Sequence, residues 1–227
     1  MGQLPSSTPR EAVQPAVDLG LGVSKVVRDT YALLGMTLLF SAAMAWFASS
    51  TGATLVSPLF SLLISIGLLF ALNALRNSVW ALPLVFAFTG FFGYTLGPVL
   101  SVYLANPALT SVLMTTLACT ALIFFGLSAY VFTSGKDFSF LQGFVFTGLL
   151  VLLGVSLLGL VFDISGFTLV VSAAAVLLAS ALILFDTSRI IRGGETNYVM
   201  ATVSLYLDIY MLFVHLLNLL TAFSRED

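Results

Sequence analysis

Charge is what this sequence has least of. Only 8% of its 227 residues are Asp, Glu, Lys or Arg, against 59% that are hydrophobic, and there is one histidine and one cysteine. A soluble domain is usually about a quarter charged, so a globule of this size could not cover itself with polar surface. The net charge of −2 and the lack of a basic cluster exclude a nucleic-acid binder. A lone cysteine, Cys119, excludes a disulfide scaffold, and the wealth of apolar residues excludes intrinsic disorder. Lysine occurs only as Lys25 and Lys136, neither inside an apolar run, which excludes a retinal Schiff base. Phosphate-binding glycine loops and zinc-ligand spacings are missing too. Ser128 and His215 have no third residue to orient a base, so the protein is expected not to be an enzyme.

Long hydrophobic runs are what the chain has in plenty. A membrane span needs about 20 mostly apolar residues, and the pattern predicts seven, near 31–50, 56–75, 80–104, 109–132, 139–161, 166–188 and 199–222. Turn-rich or charged clusters separate them, such as Asn77-Ser78, Asn106-Pro107 and the stretch Arg192-Gly193-Gly194-Glu195-Thr196-Asn197. The runs are too long and too evenly apolar for barrel strands of about 10 alternating residues. The expectation is an all-α integral membrane protein, a seven-transmembrane-helix bundle. Residues 1–30 read as a cytoplasmic N-terminal tail, 31–222 as the transmembrane domain and 223–227 as a short C-terminal tail. The N-terminal segment lacks the apolar core of a signal peptide.

Lysine and arginine set the orientation. Arg10, Lys25 and Arg28, then Arg76, then Lys136, then Arg189 and Arg192 fall on alternate connections, and only Arg225 departs from the pattern. The positive-inside bias puts the N-terminus in the cytoplasm. Seven spans then put the C-terminus outside, whereas a re-entrant segment would return Arg225 to the cytoplasmic side.

Ionisable groups within a bilayer are costly and mark function by default. Asp186 falls in the last turns of the sixth span, Asp208 in the first half of the seventh, and His215 deeper, with Arg76 and Arg189 near the cytoplasmic edge. The sixth and seventh spans are joined by a short turn, which favours antiparallel neighbours, so the two carboxylates can meet in the cytoplasmic half. Two carboxylates in a low-dielectric site cannot both ionise cheaply and would share a proton and titrate as a pair. Ionised, they would repel each other and attract a hard cation such as Ca²⁺. The alternative is that each aspartate is satisfied separately, Asp186 by Arg189 one turn on. Asn197, Ser204, Asp208, Met211, His215 and Asn218 recur at helical spacing on the seventh span, a semi-polar stripe expected to face the bundle interior. Gly90, Gly93 and Gly97 share a face of the third span and read as a close-packing surface, with Pro98 beyond them.

The run Gly193-Gly194-Glu195-Thr196-Asn197-Tyr198, followed by Ala201-Thr202-Val203-Ser204-Leu205-Tyr206-Leu207-Asp208, resembles the Bax inhibitor-1 (transmembrane Bax-inhibitor-motif) family, in particular its bacterial branch of FtsH-protease modulators. Agreement extends through Phe86-Ala87-Phe88-Thr89-Gly90-Phe91, Leu96-Gly97-Pro98 and Lys136-Asp137-Phe138-Ser139-Phe140-Leu141, covering nearly the whole chain outside the tail. The resemblance implies a bundle whose last helix is central. It implies that Asp186 and Asp208 act as a pH sensor for a Ca²⁺ leak, with Arg76 as a latch and Ca²⁺ only a transient ligand; Arg189, one turn from Asp186, is a second candidate for the latch. It further implies an inner-membrane location and FtsH as a binding partner.

Overall fold

The computed structural model describes residues 14–54, 56–159, 162 and 165–224. Arg10 and Arg225, which bear on the orientation, lie outside the described residues. Among those residues seven long helices follow one another: α1 (Gln14–Ser50), α2 (Pro58–Leu75), α3 (Ala81–Ala105), α4 (Pro107–Ser134), α5 (Gln142–Leu158), α6 (Thr168–Ile191) and α7 (Tyr198–Phe223). All seven are long and apolar enough to cross a membrane. The molecule is a seven-helix membrane bundle.

The breaks seen in the sequence are helix ends with local causes. Pro107 opens α4, where its missing N–H costs nothing, and the Asn106 side chain accepts the Ala108 amide at 3.0 Å. α4 stops at Gly135, which takes φ +58°, a left-handed turn that a side chain would strain. Gly193 does the same beyond α6, at φ +73°. Asn197 caps α7 by accepting the amides of Val199 (3.0 Å) and Met200 (3.1 Å). α1 reaches back to Gln14, well before the apolar run at Tyr31, and its membrane-compatible stretch starts at Val23.

Helices in a bilayer gain no hydrophobic drive toward one another, so close approach must come from small residues. α1 and α3 form the most extensive contact of this kind. Gly90 lies against Phe40, Gly93 against the backbone and side chain of Ser41, and Gly97 against Ala45 and Ala48. α7 packs against α1, α3, α4 and α6 and is the most buried helix of the seven. α2 rests chiefly on α3 and α5 on α6, and their outward faces carry large apolar residues such as Phe70 and Phe146 toward the surrounding lipid.

Candidate functional site

α6 and α7 lie side by side and bring two acids together. Asp186, five residues before the end of α6, is 8% exposed, and Asp208 on α7 is 3% exposed. Their carboxyl groups lie close enough to interact electrostatically. Two carboxyl groups this close in a low-dielectric site cannot both ionise cheaply. The second oxygen of Asp208, Oδ2, is buried with no partner. A buried acceptor with no partner among the described residues is costly and is open to a proton or a cation.

Arg189 does not close the pair. Its guanidinium turns toward the α6–α7 connection, donating from Nε to the Gly194 carbonyl at 3.4 Å and pairing through Nη2 with Glu195 at 3.3 Å. Both Arg189 and Glu195 remain within electrostatic range of Asp186. Arg76, at the end of α2, makes no ion pair among the described residues. It lines a cleft with Arg189, Glu195 and Ser204. The latch expected of either arginine is therefore not engaged in this arrangement.

The semi-polar stripe of α7 divides among different tasks. Asn197 ties the start of α7 to the end of α2, donating from Nδ2 to the Arg76 carbonyl at 2.8 Å and to Asn77 Oδ1 at 3.1 Å. His215 Nδ1 sits 3.4 Å from Ser172 Oγ on α6. Asn218 is exposed, contrary to the expectation that the whole stripe faces inward. Its spacings average less than 3.6 residues per turn, so the row drifts around the helix, and the inner face at that end is carried by Phe213, Leu217 and Thr221 instead.

Tyr206 is the residue the sequence reading passed over. It is 1% exposed, its hydroxyl lying 2.7 Å from Ser41 Oγ on α1 and donating at 3.1 Å to the Thr89 carbonyl on α3. A tyrosine in an apolar span must find a partner for its hydroxyl, and that was the available signal. Tyr206 joins three helices two residues before Asp208. Beyond it lies an apolar cavity of about 300 Å³ between α1, α3, α4 and α7.

Among the described residues no three acidic, histidine or cysteine side chains gather as metal ligands would. The aspartate pair offers at most four carboxylate oxygens, short of the six to eight that Ca²⁺ takes. A cation here would keep part of its water shell.

Residues 23–225 match the family model described as inhibitor of apoptosis-promoting Bax1. The chain belongs to the Bax1-I family. Family membership is supported by close relatives along almost the full length. An uncharacterized protein of Pseudomonas aeruginosa is 50% identical over 205 residues, covering 90% of this chain and 92% of that one. The Escherichia coli protein named modulator of FtsH protease YccA is 44% identical over 208 residues, covering 91% of this chain and 94% of its own. An uncharacterized membrane protein of Vibrio cholerae is 39% identical and aligned over its whole length. In this Bax1-I member the aspartate pair falls inside the matched region.

Proposed function

We propose that this protein resides in the bacterial inner membrane with its N-terminus in the cytoplasm, and that Asp186 and Asp208 form a proton-sensitive site that gates a leak of Ca²⁺ or a similar cation. One observation carries the reading: two buried carboxyl groups stand within electrostatic range of each other across the α6–α7 seam, and one of their oxygens has no partner. With the shared proton in place, the α6–α7 seam is held shut. Its loss leaves two like charges in low dielectric, which repel each other and favour a cation between them. Arg76 and Arg189, set at the same end of the bundle, would serve as the latch for the ionised pair. Ser204 and His215 extend the polar stripe along α7, while Asn218 turns out of it. The test is Ca²⁺ entry into vesicles holding the purified protein, followed against pH. Asp186→Asn and Asp208→Asn should each abolish the pH response, and an unchanged flux profile in both overturns the gate.

A second reading concerns a protein partner. The E. coli relative is named a modulator of the FtsH protease, which supports a role in binding FtsH and restraining its degradation of membrane proteins, with no ion conduction required. Overproduction should lengthen the half-life of FtsH membrane substrates, and deletion of residues 1–25 should weaken the effect. An unchanged half-life refutes this role.

A further inference from the structure

A cleft of about 530 Å³ opens between α2, α6 and α7 at the end of the bundle where α2 stops and α6 turns into α7. That volume lies within the range of small-molecule sites, roughly 300–1,000 Å³. Its composition is split by depth. Near the end of the helices stand Arg76 and Arg189, with Glu195 beside Arg189. One to three turns deeper into the span the wall is Ile66, Leu69 and Phe70 of α2, of which Phe70 is 71% exposed. The cleft exists because α2 leans on α3, and Asn197 fastens only its last turn to α7.

We propose that this cleft binds an anionic phospholipid, its phosphate held by Arg76 and Arg189 and its acyl chains lying along Ile66 and Phe70. Three observations lead there. The lining carries two cations and one anion, and Glu195 occupies only Arg189 Nη2, so Arg76 is left to bind an incoming negative group. Guanidinium forks match phosphate oxygens better than any other side chain does. Hydrocarbon walls directly below a pair of arginines match a molecule that presents an anion at the membrane boundary with alkyl chains beneath it. A phospholipid of that leaflet has this shape, and basic pockets between membrane helices are a recurrent lipid site.

Native mass spectrometry of the full-length protein, released from mixed micelles holding equal phosphatidylglycerol and phosphatidylcholine, tests the proposal. The wild type should retain one phosphatidylglycerol in preference to phosphatidylcholine. Arg76→Gln with Arg189→Gln should lower that preference roughly tenfold to thirtyfold. Lys136→Gln with Arg192→Gln, which removes the same charge from residues outside the cleft lining, should leave it intact. Glu195→Gln should strengthen retention, because it frees Arg189, whereas a merely structural ion pair predicts no gain. Arg76→Lys with Arg189→Lys keeps the charge and guards against misfolding of the glutamine variant, and it should retain a partial preference. Equal retention of both lipids by the wild type overturns the proposal. So does a preference unaffected by the arginine changes, an inorganic phosphate adduct that displaces the lipid, or a lipid-free dimer that fills the cleft with a second copy.

Discussion

Replacing Gly93 by alanine would set a methyl group 2.8 Å from both the carbonyl carbon and Oγ of Ser41, and nearer still to the Ser41 carbonyl oxygen. Ordinary contact begins near 3.4 Å, so α1 and α3 must separate by more than half an ångström at their tightest point. Backbone cannot move aside as a flexible side chain does. Overpacking of this kind costs about 1–3 kcal/mol. The same movement pulls Ser41 Oγ away from Tyr206, a bond of 2.7 Å, and interhelical hydrogen bonds in membranes average about 0.6 kcal/mol. Set against the backbone gain of a helical Gly→Ala change, the expected net loss is about 1–3 kcal/mol. Gly126→Ala is the control: nothing lies within 4 Å of the added carbon, and an exposed helical glycine replaced by alanine gains roughly 0.5–1 kcal/mol. Reversible unfolding of the purified protein in micelles with increasing sodium dodecyl sulfate measures both. If Gly93→Ala proves as harmless as Gly126→Ala, the α1–α3 crossing does not depend on the glycine, and the packing account of the fold fails.

Other outcomes follow from single contacts. Asn197→Ala removes both the α7 cap and the tie to α2, and should cost about 1–2 kcal/mol in the same unfolding assay. With Asp186→Asn and Asp208→Asn together, the buried pair has nothing left to ionise, so the pH dependence of thermal stability should diminish; a melting temperature that tracks pH as in the wild type would point to other groups. Asp137 caps the short turn before α5 by accepting the Ser139 amide at 2.9 Å, and this bond, with a smaller contribution from Arg192, holds its carboxyl below the usual 3.8. A depressed value means that the stabilising contact is complete above pH 3.8 and is lost as pH falls below it. The protection of the Ser139 amide against hydrogen exchange, measured relative to the intrinsic rate at each pH, should therefore fall in acid, and Asp137→Asn should flatten that response.

Much of the architecture is legible without coordinates. Apolar runs of about 20 residues have one stable form in a bilayer, because every backbone group must be satisfied within its own segment, so the seven spans and their order follow from composition and length. The turns follow too, since Asn106-Pro107, Gly135 and Gly193 have conformational preferences that act locally. Asp186 and Asp208 stand out for the same reason: a carboxyl group in hydrocarbon is expensive wherever it points.

Partner choice depends on rotation and tilt, which spacing along one helix cannot supply. Sequence left Asp186 with two candidates, Arg189 and Asp208, and only the packing of α6 on α7 brings Asp208 within electrostatic range of it while Arg189 pairs with Glu195. Likewise a heptad-like row placed Asn218 with the interior, but an α-helix of 3.6 residues per turn carries it out to the surface. The bond from Tyr206 to Ser41 spans 165 positions, a distance over which local preference has no influence. The chain's chemistry decided that it crosses the membrane and which groups would be costly there; the three-dimensional packing decided which of those groups touch.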